Sequence, residues 1–127
     1  FIEGDSANHD RSQDEIEEIA KTLKQYSDTL SSKRIRFIFL PIPNKETIMF
    51  DLLPSKKPSS FLPRLYVELE KRGVEYIDLL SPYLERYKNN QLSHQIDDTH
   101  WNSAGIDVAA HAITRKVIAN SVVSERK

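Results

Sequence analysis

Two aspartates and a histidine lie close together late in the chain, at Asp97, Asp98 and His100. A carboxylate beside an imidazole can fix its tautomer and stabilise its protonated form, which a general base requires. The same residues also allow a plainer interpretation, because aspartate often caps a helix and a loop histidine is often only a solvated polar group. The spacing alone leaves both interpretations open.

A helix is predicted to begin just after this histidine. Ser103 is its expected N-cap, because the hydroxyl can accept a free backbone N–H. Apolar residues then recur at helical spacing and predict one buried face, formed by Ile106, Ala109, Ala110, Ile113 and Val117. The loop that carries the aspartates and the histidine is therefore expected to be held at one end by a packed helix.

Composition limits the classes of protein to which the chain can belong. Its 127 residues, 39% hydrophobic and 29% charged, suit one globular domain. The net charge of -1, with scattered Lys and Arg, argues against a nucleic-acid partner. No apolar run approaches the roughly 20 residues of a membrane span, so no membrane segment is expected in this chain. The absence of cysteine excludes disulfides and thiolate metal sites.

The elements that must position the polar residues follow from periodicity and turn chemistry. A capping-box pattern at Ser12 starts an amphipathic helix over residues 13–31. Strands buried on both faces are predicted at residues 35–40 and 74–80. A helix over about residues 60–72 lies between them, so the two strands should pair in parallel with this helix as the crossover.

A short helix over residues 81–89 completes a small α/β layer fold, with the order α-β-α-β-α-loop-α. Residues 1–127 are taken as a single domain or a fragment of one, with residues 1–11 and 121–127 loose at the ends. Asn44 follows the first strand at its carboxyl end, where ligands gather in open α/β sheets. It is a weak binding candidate, because an Asn after Pro is also a common turn former.

Three stretches of the chain resemble one known family. Asp-Asp-Thr-His-Trp-Asn-Ser-Ala-Gly at residues 97–105, before an Ala-rich amphipathic helix, resembles the Asp/His block of the SGNH (GDSL-type) hydrolase superfamily. The Asp-Thr-His-Trp run is similar to the alginate O-acetyltransferase-like branch. Arg-Phe-Ile-Phe-Leu-Pro-Ile-Pro-Asn-Lys-Glu-Thr at 36–47 and Lys-Arg-Gly-Val-Glu-Tyr-Ile-Asp-Leu at 71–79 are similar to the same branch, so the resemblance covers roughly residues 13–119.

This resemblance implies a flavodoxin-like three-layer α/β/α sandwich with a parallel sheet, present whole or as a partial SGNH domain. The implied activity is acyl-ester chemistry, either O-acetyl transfer to an extracytoplasmic polysaccharide or removal of the acetyl group. The implied partners are an acetylated polysaccharide or acyl donor and other polysaccharide-export proteins. The implied location is the bacterial periplasm or another extracytoplasmic compartment, and no cofactor is expected.

The resemblance also assigns roles to residues. His100 would be the base. The Asp-x-x-His spacing of the wider superfamily selects Asp97 as the acid, whereas the Asp-Thr-His-Trp run of the branch selects Asp98, which we favour because that match is longer. Trp101 would shape the acyl or sugar side of the site, unless it is a half-buried tryptophan that packs the helix start.

The nucleophile is harder to place. Gly4-Asp5-Ser6 spells the motif that carries the serine in GDSL enzymes, so Ser6 is one candidate. Against it, the preceding strand would be only Phe1-Ile2, the following residues are a polar loop, and the serine motif of the alginate branch lies downstream of its Asp-Thr-His-Trp run. We therefore expect the chain, which does not start with Met, to lack its serine block.

The sequence leaves two other functions to consider, a metal site and a non-catalytic binding module. The histidines at positions 9, 94, 100 and 111 are not spaced for a helical metal site, so no metal is expected. A non-catalytic module that keeps the fold and binds a glycan or a partner protein is the alternative to an enzyme. A serine positioned near His100 would discriminate between the enzyme and the module.

Overall fold

The computed structural model describes residues 11–125, with side chains described through residue 118. The helices are α1 (Gln13–Ser32), α2 (Lys45–Ile48), α3 (Phe61–Lys71), α4 (Leu80–Lys88) and α5 (Ser103–Glu125). The strands are β1 (Ile38–Phe39) and β2 (Glu75–Tyr76), and a 3₁₀ turn at Phe50–Leu52 follows α2. The four longer helices match the predicted ones, whereas α2 and the 3₁₀ turn were not predicted.

Helix α1 begins as the sequence predicts. The Ser12 hydroxyl accepts the backbone N–H of Glu15 at 3.2 Å, and so satisfies one of the donors left free at a helix start. Ile16 and Ala20, four residues apart on one face of α1, are fully buried and pack in the core with Leu65 and Leu69 of α3.

The two strands pair in parallel, with Ile38 opposite Glu75 and Phe39 opposite Tyr76. The predicted α/β class and the parallel pairing are therefore confirmed. Each strand is two residues long, so the predicted lengths were wrong, and both strands are only half-buried. One reason is that the N–H of Ile35 bonds to Leu30 O at 2.9 Å, which ties the start of the predicted strand to the end of α1.

The core lies between α1, α3 and α4 and the one face of α5 that contacts them. Its fully buried members include Leu69, Leu79 and Tyr83, each 0% exposed. The Tyr83 hydroxyl donates to Gly105 O at 2.8 Å, which satisfies the buried phenol and joins α4 to the first turn of α5. The core thus fixes where the segment ahead of α5 must lie.

The predicted buried face of α5 was wrong. Ala109 is buried, but Ile106, Ile113 and Val117 are 44%, 37% and 42% exposed, and Ala110 is also exposed. The first turn explains this rotation, because a Cβ placed on buried Gly105 would overlap the Ser93 carbonyl oxygen. That close approach turns Val108 and Ala112 toward the core in place of the predicted stripe.

The chain ends are described only in part. Helix α5 continues through residues 121–125, which the sequence leaves as a loose tail. The remaining ends that were expected to be loose, residues 1–10 and 126–127, lie outside the described residues. Across residues 11–125, none of the helices has the length and apolar character needed to cross a membrane.

Candidate active site

The loop between α4 and α5 folds back on itself as a short hairpin. His94 and Trp101 form an isolated antiparallel bridge. The N–H of Gln95 donates to His100 O at 2.9 Å, and the N–H of Asn102 donates to Ser93 O at 3.0 Å. These bonds bring the two ends of the hairpin together, so that residues 96–99 form its tip.

Asn102 closes the hairpin and starts α5. Its Nδ2 donates to Leu92 O at 2.9 Å and His94 O at 3.3 Å, while its Oδ1 accepts the N–H of Gly105 at 2.8 Å. The predicted N-cap at Ser103 was therefore wrong by one residue, and the cap is Asn102. A carboxamide both donates and accepts, so it can cap the helix and hold the hairpin at the same time, which a single hydroxyl at Ser103 does less well.

Asp98 and His100 meet at the tip of the hairpin. Asp98 Oδ1 lies 2.6 Å from His100 Nδ1 and also accepts the backbone N–H of His100 at 3.1 Å. The assignment of Asp98 as the acid requires a hydrogen bond between the two side chains, and this bond is present. The backbone bond is the two-residue Asx pattern, so this carboxylate serves as both a turn former and a partner of the imidazole.

The charge of Asp98 decides which ring nitrogen carries the proton. The two bonds from His100, first from its backbone N–H and then from its ring, lower the pKa of the Asp98 carboxyl. An ionised carboxylate can only accept, so Nδ1 must donate. In the neutral ring Nε2 then keeps its lone pair, and within residues 11–125 no protein group is bonded to Nε2. A lone pair on an exposed Nε2 is what a general base needs.

Beside this pair lies an open cleft of about 740 Å³. Asp98 and the alternative acid, Asp97, contribute to its wall, but Asp97 makes no hydrogen bond to His100. The rest of the lining is mainly apolar, and the full set is Lys45, Met49, Leu52, Leu92, Ile96, Asp97, Asp98 and Thr99. The cleft is therefore a mostly apolar groove with the Asp98 carboxylate at its edge.

The position of the cleft agrees with the sheet topology. Lys45 and Met49 lie on or directly after α2, which follows the carboxyl end of β1. In open α/β sheets, that is the end at which ligands bind. Residues from two distant parts of the chain, 45–52 and 92–99, thus meet at the expected rim.

The family assignment comes from comparison with known proteins. A family model described as "SGNH hydrolase-like domain, acetyltransferase AlgX" matches residues 1–127, the whole chain. The chain belongs to this AlgX family. Neither the curated proteins nor the solved structures include a match to it. The AlgX family is associated with extracytoplasmic polysaccharide modification, and membership points to acyl-ester chemistry on a polysaccharide.

The remaining candidate residues of this AlgX-family chain are Trp101, Asn44 and Ser6. Trp101 is half-buried and packs against the core, and its side chain is not part of the cleft lining. Asn44 precedes α2 as its cap residue without a side-chain cap bond, and its carbonyl accepts the N–H groups of Thr47 and Ile48. Ser6, the candidate nucleophile, lies outside the described residues.

Sequence reasoning missed three residues that build the site of the AlgX-family chain. In the sequence Lys45 stands out only as part of the run at residues 36–47, Asn102 only as part of the run at 97–105, and His94 only as one of four histidines. Lys45 contacts residues about 50 positions away, which no local pattern reveals. Asn102 had a local signal, because Asn is among the best N-cap residues and stands one position before the predicted start.

His94 gives the AlgX-family chain a predicted pH dependence. The ring is 2% exposed, and Nε2 bonds to Pro43 O at 3.0 Å, so Nε2 carries the proton of the neutral form. Burial lowers the pKa of His94. The unfolded chain, with a histidine pKa of about 6.5, therefore binds a proton first as pH falls. The free energy of unfolding should be greatest above about pH 6.5 and should decrease below it.

Urea unfolding at pH 5 and pH 8 measures this effect. His94→Gln cannot be protonated, so its free energy of unfolding should change less between the two pH values than that of the wild type. Equal changes in both proteins would show that other groups cause the pH dependence.

Proposed function

We propose that this chain supplies the general base and the orienting carboxylate for acyl-ester chemistry on an extracytoplasmic polysaccharide, in a bacterial periplasm. The reaction is transfer of an O-acetyl group to the polysaccharide, or its removal. The observation that carries the proposal is the 2.6 Å hydrogen bond between His100 Nδ1 and Asp98 Oδ1. The proposed partners are an acetylated polysaccharide or acyl donor, and other polysaccharide-export proteins.

The chemistry assigns one step to each group. His100 Nε2 takes the proton of a serine hydroxyl as the serine oxygen attacks the ester carbonyl. The imidazolium then returns this proton to the leaving alkoxide, which leaves an acyl-serine. A sugar hydroxyl or a water molecule, deprotonated by His100 in its turn, attacks the acyl-serine and regenerates the serine. Asp98 holds the tautomer and stabilises the imidazolium in both halves.

The nucleophile is proposed to lie outside residues 11–125. No serine hydroxyl of the described side chains is hydrogen-bonded to the His100 ring, whose partner is Asp98. Ser103, which is the nearest in sequence, is exposed at the start of α5. Ser6 is a less favoured candidate than a serine that follows the Asp-Thr-His-Trp run, because the serine motif of the resembling branch lies after that run.

The isolated 127-residue chain is expected to hydrolyse an aryl acetate poorly or not at all. A base and a carboxylate without a positioned serine keep their orientation but lose the covalent step, which in serine hydrolases removes several orders of magnitude of rate. The measurement is turnover of a simple aryl acetate by the purified chain, alongside Ser6→Ala and His100→Ala. All three proteins should give the same rate, close to that of buffer.

Two outcomes would change the proposal. Robust turnover abolished equally by Ser6→Ala and His100→Ala would place the nucleophile at Ser6. If the complete gene product bound a polysaccharide but showed no ester turnover or transfer, the non-catalytic binding module would be the better description.

A further inference from the structure

The ammonium group of Lys45 donates to three backbone carbonyls of the hairpin, two in its tip and one directly before it. Its Nζ donates to Gln95 O at 2.6 Å, Ile96 O at 2.7 Å and Asp98 O at 3.2 Å. A lysine ammonium has three N–H donors, and each has one of these oxygens within reach. The donors come from the α2 side of the cleft and the acceptors from the α4–α5 hairpin, so these bonds cross the cleft wall.

The hairpin tip has little else to hold it. The backbone groups of residues 96–99 make no hydrogen bond to another backbone group in the described part of the chain, and the Asp98 carboxylate adds one local bond from the His100 N–H. The side chain of Ile96 is 83% exposed and those of Asp97 and Asp98 are also exposed, so packing does not fix the tip either. Without Lys45, its carbonyls would face water and its backbone would be free to take other conformations.

We propose that Lys45 is the positioning residue of the Asp98–His100 pair. Its ammonium fixes the carbonyls of Gln95, Ile96 and Asp98. It thereby sets the conformation of the backbone that carries the carboxylate and the imidazole. The inference rests on the proposed role of His100 as the base. Lys45 makes no hydrogen bond to the imidazole, so it acts through the loop.

The chemistry of the contact requires lysine. Three carbonyl oxygens converge on one point, which suits a compact ammonium with donors in three directions. The planar guanidinium of arginine presents its donors in a fixed fork and does not match that convergence. Lys45→Arg is therefore expected to behave like a loss of the contact, although it keeps the charge.

The first test reads the pair directly, without any activity. In ¹⁵N NMR spectra of the imidazoles in the 127-residue chain, wild-type His100 should be the tautomer protonated at Nδ1. In Lys45→Met, the neutral ring should become a mixture of the two tautomers, and the pKa of the Asp98 carboxyl should rise toward its ordinary value. Lys24→Met on the surface of α1, which breaks only the ion pair with Asp28, is the matched control and should keep the wild-type signature.

The second test is chemical rescue. In Lys45→Ala, n-propylammonium replaces the missing part of the side chain, and the open cleft gives it access. The tautomer protonated at Nδ1 should return with saturable dependence on n-propylammonium. n-Propanol, which has the same carbon chain and no charge, should not restore it.

Each outcome decides for or against the positioning role. An unchanged His100 signature in Lys45→Met, or equal rescue by n-propanol, would overturn it. Collapse of the whole spectrum in Lys45→Met and Lys45→Gln alike would make Lys45 a residue required for folding and would also overturn it. The proposed function fails separately, if His100→Ala leaves ester turnover by the complete gene product unchanged.

Discussion

His100→Ala in the complete gene product is expected to lower kcat/KM for an acetyl ester by about 10⁴- to 10⁶-fold. The imidazole is the proposed base, since its Nδ1 is bonded to Asp98 and its Nε2 has no protein partner within residues 11–125. The measurement is steady-state turnover of an aryl acetate and acetyl transfer to a polysaccharide. A loss below about tenfold would mean that His100 is not the base.

The two neighbouring aspartates provide a matched pair for the same experiment. Asp98→Asn should lower kcat by about 10³- to 10⁴-fold, because an amide no longer selects the tautomer that leaves Nε2 unprotonated. Asp97→Asn removes the same charge from the cleft wall but no bond to His100, so a change below about tenfold is expected. The reverse order of effects would assign the acid to Asp97, as the spacing of the wider superfamily suggests.

Asn102→Ala is expected to lower the free energy of unfolding by about 2–4 kcal/mol. Loss of the N-cap costs about 1 kcal/mol. Leaving the carbonyls of Leu92 and His94 short of a donor adds about 1–3 kcal/mol, less where Leu92 O keeps its 2.8 Å bond from Arg86. Urea unfolding at a fixed pH measures the change.

Ser103→Ala is the control for this prediction. Ser103 is the cap that the sequence favours, yet its side chain is exposed and the cap bond belongs to Asn102. Its substitution should change the free energy of unfolding by less than about 0.5 kcal/mol. If Ser103→Ala destabilised the chain as much as Asn102→Ala, the cap would lie where the sequence first placed it.

The elements that could be predicted were those with local causes. Helix α1 begins directly after Ser12 because the capping hydroxyl and Glu15 are three residues apart, and α3 follows from apolar spacing. The start of the first strand was placed too early because the N–H of Ile35 bonds to the end of α1, a contact that an apolar run does not reveal. The predicted buried face of α5 was wrong for a similar reason, since the rotation of the helix depends on the close approach of Gly105 to Ser93.

In the candidate site, too, only the contacts between residues close in sequence could be predicted. Asp98 and His100 are two residues apart, so their hydrogen bond could be expected from the sequence. Lys45 reaches the hairpin across about 50 residues, and the cleft exists only where the two segments meet. His94 is buried through its bond to Pro43, which is equally distant in the chain. The Asp98–His100 pair was thus visible in the sequence, whereas the residues that support it were not.

The long sequence separation between Lys45 and its carbonyl partners also has a consequence for biosynthesis. Lys45 is synthesised 50 residues before the first of its acceptors, Gln95. At ribosomal rates of about 5–20 residues per second, that interval is about 3 to 10 s. During this interval the nascent chain can already contain α1 and α3, whereas the α4–α5 hairpin, which forms one wall of the cleft, has not yet been translated. The cleft can therefore form only after the Asp98–His100 hairpin has been translated and Lys45 can reach its carbonyl partners.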